Sequence, residues 1–532
     1  VEKSLDLTVT APESATDNFW VTVDYTSNDP RFINNSLWGM NGNYGINADD
    51  VWAAGEIGNT KTIVGVIDTG VDYTHQDLYL NIWLNQNEIP TSIRNNLTDI
   101  DGDGIFTFRD LNDAGNAAYV TDFNGNGYID AGDLLDNRSG WENEADDDGN
   151  GYNDDLIGWD FYNNDNDPID TDGHGTHVSG TIGAMGGNNL GVVGVNWNAQ
   201  IVALQFLGPV GGYISDAVLA VDYFTDASKA ASAGENFVAT NNSWGGGGYS
   251  TSLNNAIGRA AAQDILFIAA AGNDGTNNDM SPHYPSNYTS DFVVSVASIT
   301  SSGSLSSYSN YGVSSVDIGA PGSGIVSTVP GDAYASYNGT SMATPHVTGA
   351  VALYASVNPD ATAAEIRSAL FNSAVATSSL GGKTSTGGRL DVAGMMDVTV
   401  TPPDIAGDIT TTATLTTSQS ETSIVDFWGD QDWFAVTLTA GVSYQFNLNA
   451  APGSSVDPYL VLRTSSGAFI KENDDIDNAV NLNSQINYTA TNSGLHYVSA
   501  QAYGDTTGSY ESSVSASRGN ISPIANDDTA ST

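Results

Sequence analysis

Five almost unbroken apolar runs constrain this chain more than any other feature: Thr62–Ile67, Ile201–Leu204, Phe237–Thr240, Ile265–Ala269 and Phe292–Val296. A run apolar on both of its alternating faces reads as a strand buried on both sides. Helix-like stretches lie between several of them, at Ile214 to Lys229 and Thr251 to Ala262. Two more follow, one from about Ser341 to Ser356 and one opening with the capping-box pattern Thr362-Ala363-Ala364-Glu365. Buried strands alternating with helices predict an α/β fold, a doubly wound, mainly parallel sheet with helices on both faces. Ligands of such folds gather at the carboxyl ends of the strands.

This pattern occupies residues 29–398. Residues 1–28 are polar, with a weak strand piece at Phe19–Val23, and read as an N-terminal extension or a propeptide remnant. Residues 399–403, with Thr401-Pro402-Pro403, read as a linker. Beyond it Phe434/Val436/Leu438, Tyr444/Phe446/Leu448, Ile486/Tyr488 and Leu495/Tyr497 alternate between turns, which predicts an all-β sandwich over 404–516. The polar stretch 517–532 reads as a tail or the start of a truncated further module. Val1-Glu2-Lys3 carries neither an initiator Met nor an apolar signal core, so the start reads as processed or trimmed.

Charge narrows the partners. The 532 residues include 14 basic and 63 acidic ones, a net charge of −49. Such a surface repels nucleic acid and anionic membranes. With no cysteine there is no disulfide, thiol nucleophile or Cys-ligated metal. No apolar run reaches the ~20 residues that span a bilayer. The chain is expected to act as a monomer.

Three short motifs carry chemistry. Val66-Ile67-Asp68-Thr69-Gly70 puts a carboxylate at the end of a buried strand. Asp172-Gly173-His174-Gly175-Thr176-His177-Val178 puts imidazoles at the start of a helix of small residues. Asn338-Gly339-Thr340-Ser341-Met342-Ala343-Thr344-Pro345-His346 puts Ser341 at a helix start. A serine hydroxyl needs a neighbouring base to become a nucleophile, which His174 supplies, and a carboxylate such as Asp68 fixes the histidine tautomer. The oxyanion then needs donors, for which the Asn273 amide and the Ser341 N–H are candidates. Each motif alone has a plainer reading: Asp68 a turn, His174 and His177 half a metal site or a cap, Ser341 a cap, Asn273 a turn residue. Their joint occurrence in the order Asp, His, Ser favours the catalytic reading.

Residues 29–397 resemble the subtilisin-like serine proteases, the subtilases. The matching stretches are VIDTGVD, DGHGTHVSGTIGA, NNSWGG, AAAGNDG and GTSMATPHVTGAVAL. The resemblance implies a triad of Asp68, His174 and Ser341, with Asn273 in the oxyanion hole. It implies that Ser243, Trp244 and Gly245 pair with the substrate backbone. It also implies a secreted enzyme acting on proteins or peptides through an acyl-enzyme, and a propeptide that inhibits and assists folding of its own chain. Residues 404–516 resemble the bacterial pre-peptidase C-terminal (PPC-type) sandwich, in GDQDWFAVTLTAG, DPYLVLRTSSG and YGDTTGSYESSVSA. That family implies a secreted accessory domain. Asp474 and Asp475 there suit a solvated turn better than a calcium site, and Trp428 or Tyr503 are candidates for touching a polymer.

Asp68 and His174 are 106 positions apart, and the insertion at about 85–160 is rich in Asp. A 12-position calcium loop places side-chain oxygens at 1, 3, 5 and 12, Gly at 6 and a backbone carbonyl at 7. Asp99, Asp101, Asp103, Gly104, Ile105 and Asp110 fit these positions, and so do Asp122, Asn124, Asn126, Gly127, Tyr128 and Asp133. With Asp at position 12 the loops resemble dockerin loops more than sensor EF-hands. A third loop has Asp146, Asp148 and Asn150 in place but Ile157 at position 12, so Asp154 or Asp155 closes it. Asp77 matches a position at which subtilases bind calcium, with Asn188 as a second ligand. Several Ca²⁺ ions are therefore expected. The expectation is a secreted, calcium-stabilised serine endopeptidase; the alternative is a calcium-dependent adhesion or polymer-binding protein with an inactive protease fold.

Overall fold

Each of the five apolar runs becomes a strand. The computed structural model describes residues 26–232, 234–397, 405–417, 420–425, 430–451, 454, 456–476, 482–503, 506 and 508–517. The weak strand expected at Phe19–Val23, the linker, Trp428 and most of the polar tail lie outside these residues. The chain divides into two compact units, Val1–Val400 and Thr401–Thr532.

In the first unit, strands β1 (Thr62–Asp68), β2 (Gly158–Asp160), β3 (Gln200–Gln205), β4 (Asn236–Asn242), β5 (Leu266–Ala270), β6 (Val293–Ile299) and β7 (Ile318–Pro321) pair in parallel. An antiparallel hairpin, β8 (Ser323–Val329) with β9 (Ala333–Asn338), stands apart. Short strands β10 (Val375–Ala376) and β11 (Gly388–Arg389) close one edge of the main sheet, whose order is β10-β11-β7-β6-β5-β4-β1-β3-β2. Sequence reading missed β2 and β7 to β11, which are short or lack an unbroken apolar run.

Both faces of this sheet are covered, and alternation within the strands shows why. Val64, Val66, Ile201, Ala203, Leu266 and Ile268 enter one core with helices α1 (His174–Gly183) and α4 (Thr340–Val357). Ile63, Ile67, Val202, Leu204, Phe267 and Ala269 enter the other with α2 (Ile214–Ala230) and α3 (Thr251–Ala261). Full burial of one such side chain contributes about 1.5–3 kcal/mol. Helix α4 is buried almost all round, as an evenly apolar helix must be. Helix α5 (Ala363–Asn372) starts with the expected capping box, Thr362 to Glu365.

Strand order reverses at β1: β3 lies on one side and β4 on the other. The carboxyl ends of β1 and β4 thus flank a topological switch point, where such sheets open a crevice. The catalytic candidates fall there.

The second unit is a β-sandwich of two antiparallel four-stranded sheets. One has the order β12 (Ser420–Val425), β19 (Gly508–Ser517), β14 (Ser443–Ala450), β17 (Ser484–Thr489). The other is β13 (Gln431–Leu438), β18 (Gly494–Ala502), β15 (Pro458–Thr464), β16 (Phe469–Asn473). Phe434, Val436, Leu460 and Val498 of one sheet meet Phe446, Leu448, Ile486 and Val514 of the other. Leu495, which alternation put inside with Tyr497, is instead 42% exposed. Its strand has a run of buried residues, His496 to Ala500, that breaks the period-2 pattern. Among the described residues no helix is long and apolar enough to cross a membrane.

Candidate active site and metal loops

Asp68 ends β1, fully buried, and its Oδ1 accepts from Thr69 N–H (2.8 Å) and from His174 Nδ1 (2.7 Å). The neutral imidazole therefore carries its free lone pair on Nε2. His174 opens α1, and Gly175 is what lets it do so: a methyl there would come within 2.0 Å of the Gly70 carbonyl oxygen. Gly173, with φ of 103°, turns the chain into the helix.

A residue that sequence reading missed, Asp170, scaffolds this turn. It accepts from the N–H groups of Asp172, Gly173 and Thr176 and from the Thr69 and Thr176 hydroxyls. Its signal was present as a third carboxylate two residues before Asp172. Burial works to lower the His174 pKa, but the charge and hydrogen bond of Asp68, with Asp170 and Asp172, carry it above the ordinary histidine value. His177 is fully buried in the core. Its Nε2 lies on the carbonyls of Ile325 (3.0 Å) and Ala335 (3.2 Å), its ring stacks on Tyr337, and burial pushes its pKa down to about 4.

Ser341 is the second residue of α4, with Pro345 accommodated within the helix. Its hydroxyl donates to the Ser243 carbonyl (3.0 Å), and the Ser243 hydroxyl donates back to the Ser341 carbonyl (2.8 Å). The Ser341 hydroxyl thus rests on Ser243 rather than on His174. Asn273 Oδ1 accepts from Thr340 N–H (2.8 Å) and the Thr340 hydroxyl (3.0 Å), which leaves its Nδ2 to point elsewhere. A methyl added at Gly339 would lie 3.5 Å from Ser341 N and 3.6 Å from Asn273 Nδ2. The two donors border one small space that glycine keeps open. Trp244 is buried against Phe206 and Phe267, while Gly245 is exposed at the rim.

The three Asp-rich loops share one conformation. Asp99, Asp122 and Asp146 at position 1 each accept from two or more loop N–H groups, including those of Gly104, Gly127 and Gly151. The position-3 and position-5 side chains turn inward in the same way: Asp101 to Asp103 N–H, Asp103 to Ile105, Asn124 to Asn126, Asn126 to Tyr128, Asp148 to Asn150 and Asn150 to Tyr152. Asp110 and Asp133 close their loops and serve in capping boxes.

Carboxylate oxygens of Asp99, Asp101 and Asp110 lie within 4.8 Å of one another. So do those of Glu88, Asp148 and Asp155. An all-oxygen donor set with close carboxylates suits Ca²⁺. Of the two candidates for closing the third loop, Asp155 gathers with Asp148 and Glu88, while Asp154 accepts from Asn143 and Glu144 N–H. Glu88 lies outside the loop and gave no sequence signal. Burial pushes Glu88 up to about 7 and Asp155 up to about 8. In the second loop Asp130, also missed, sits fully buried at position 9 beside Asn124 and Asn126. Elsewhere the fully buried Asp77 accepts from Asn188 Nδ2 (2.7 Å), Val192 N–H and the Tyr334 hydroxyl. Asp29 joins them through the N–H groups of Gly187 and Asn188. In the second unit carboxylate oxygens of Asp457, Asp474 and Asp475 lie within 4.8 Å of one another.

Comparison with known proteins adds context to this geometry. A family description, the subtilase family, matches residues 59–413. An extracellular protease of Xanthomonas campestris is 35% identical over 360 residues, covering 66% of this chain and 53% of that protein. Subtilisin E of Bacillus subtilis is 39% identical over 207 residues, covering 38% of this chain and 51% of that protein. Among solved structures, one of the proteases of Pseudoalteromonas arctica has a TM-score of 0.48 at 29% identity, covering 70% of this chain and 99% of that one. The chain spans about half the length of the Xanthomonas and Bacillus relatives.

Proposed function

The chain belongs to the subtilase family, and from that premise we propose that it is a secreted, calcium-stabilised serine endopeptidase. The observation that carries this reading is the 2.7 Å bond from His174 Nδ1 to Asp68, with Ser341 at the start of the helix that packs against the one His174 opens. Ser341 Oγ leaves Ser243, turns to His174 Nε2 and gives up its proton as it attacks the substrate carbonyl. Asp68 holds the tautomer and stabilises the imidazolium. Asn273 Nδ2 and Ser341 N–H receive the oxyanion. His174 then protonates the leaving amine, and water hydrolyses the acyl-enzyme by the same steps reversed. Ser243, Trp244 and Gly245 form the edge along which the substrate backbone pairs.

Two tests follow from this assignment. Asn273→Leu removes one oxyanion donor and is expected to lower kcat by about 10²–10³ with KM little changed, the size known for that donor in a subtilisin. An unchanged kcat counts against Asn273. The base must be neutral to act, and its partners raise its pKa. Activity is therefore lost as pH falls, with a midpoint in kcat/KM above the ordinary histidine value of about 6.5. A midpoint below that value contradicts the assignment of His174.

Calcium would be held by Asp99, Asp101, Asp103, the Ile105 carbonyl and Asp110, by Asp122, Asn124, Asn126, the Tyr128 carbonyl and Asp133, by Asp146, Asp148, Asn150 and Asp155 with Glu88, and by Asp77 with Asn188. The bound ions would neutralise carboxylates that otherwise crowd one another. Residues 404–516 are read as a PPC-type accessory domain, residues 1–28 as an extension or propeptide remnant, and the substrates as proteins or peptides.

A further inference from the structure

Behind the nucleophile sits a buried amide that plays no part in the chemistry above. Asn241 is fully buried in β4, in the middle of the sheet, with Val66 of β1 and Ile268 of β5 as its register partners. We propose that Asn241 is a positioning residue for Ser341: acting through the Ser243 hydroxyl, it fixes the nucleophile at the start of α4. The inference rests on the reading of Ser341 as the nucleophile.

The placement follows from two periodicities. Asn241 and Ser243 are two positions apart at the carboxyl end of β4, so alternation turns both towards the same side. Ser341 and Thr348 are seven positions apart in α4, about two turns, so they share one face of that helix. The hydrogen bonds between the two pairs run in one direction. The Thr348 hydroxyl donates to Asn241 Oδ1 (3.0 Å), and Asn241 Nδ2 donates to the Ser243 hydroxyl (2.9 Å). That hydroxyl donates in turn to the Ser341 carbonyl (2.8 Å). Helix α4 is thus pinned to the end of β4 at two points of one face. Asn242, next in the strand, does nothing of the kind: its Nδ2 donates to the carbonyl and hydroxyl of Thr240 in its own strand.

The chain needs an amide at position 241. A hydroxyl has one proton and can accept as well as donate. With Asn241 donating to the Ser243 oxygen, the one Ser243 proton is left for the Ser341 carbonyl. A carboxylate at 241 would take that proton instead and release the carbonyl. Asn241, Ser243 and Thr348 are all buried, where hydrogen bonds are stronger than in water and successive bonds polarise one another. The residue held in this way supplies both the attacking oxygen and one oxyanion donor. Displacement of such a group by about 1 Å costs on the order of 10²-fold in rate.

The test is a double-mutant cycle read on kcat for a peptide substrate. Asn241→Leu, similar in volume, removes both side-chain bonds. It is expected to lower kcat by about 10–10²-fold with KM little changed, and to slow sulfonyl fluoride labelling of Ser341 in step. In a Ser243→Ala background there is no hydroxyl left to direct, so the same substitution is expected to change kcat by less than about twofold. The melting temperature should fall in both backgrounds. Thr348→Val removes the donor to Asn241 Oδ1 and keeps the shape. It is expected to lower kcat in the same background-dependent way, and it carries the test if Asn241→Leu does not fold. An equal loss of kcat in both backgrounds marks a merely structural role and overturns the proposal. So does an unchanged kcat in the folded variant. Absence of both peptide turnover and labelling in the wild type overturns the protease reading, and this inference with it.

Discussion

Ser341→Ala is expected to lower kcat for peptide hydrolysis by on the order of 10⁶, the size known for loss of the same nucleophile in a subtilisin. Little of the fold depends on that hydroxyl. It donates to the Ser243 carbonyl, but the reciprocal bond from Ser243 to the Ser341 carbonyl survives the substitution. The variant should therefore melt close to the wild type, within the small change expected for one partly buried hydrogen bond, about 0.5–1.5 kcal/mol. Casein provides a simple readout. Retained hydrolysis by the alanine variant would remove Ser341 from the chemistry. An inactive wild type would favour the alternative of an adhesion or polymer-binding protein on a protease fold.

Removal of calcium is expected to have the second-largest effect. A site with free Ca²⁺ at 100 times its Kd adds about 2.7 kcal/mol to the folded state. Several such loops in one unit add to one another where they are independent. Chelation should then lower the melting temperature by roughly 10 °C or more. The Ser341→Ala variant is the material of choice, because it separates unfolding from self-digestion. Asp101→Asn should reproduce part of the shift, since Asp101 lies within the cluster with Asp99 and Asp110. An unchanged melting curve in strong chelator would contradict the calcium reading of all four sites.

Much of the architecture was legible because burial on both faces of a parallel strand leaves a plain sequence trace. Val64 and Val66 feed one core and Ile63 and Ile67 the other, so Ile63 to Ile67 has no polar member to obscure it. The capping box of α5 was equally readable, because the Thr362 and Glu365 pattern is local. The β8–β9 hairpin was not. Its second strand, Ala333–Asn338, is largely exposed and mixed in polarity.

The candidate site divides along the same line. Asp68, His174, Asn273 and Ser341 each sit in a dense local motif, whereas their supports act across the chain. Asp170 braces the His174 turn by hydrogen bonds alone. Glu88 reaches the third loop from 60 residues away, through Asp148 N–H. Motifs report what is adjacent in sequence; the bracing of a turn and the closure of a loop are set by the fold.

The central claim is that Ser341 is the nucleophile of this chain. Treatment of the wild-type protein with a serine-directed sulfonyl fluoride, digestion, and mass mapping of the adduct test it most directly. The account predicts one adduct on Ser341, formed in step with loss of peptide hydrolysis and slowed as pH falls through the His174 midpoint. An adduct on another residue, or full inactivation with Ser341 unmodified, would contradict it.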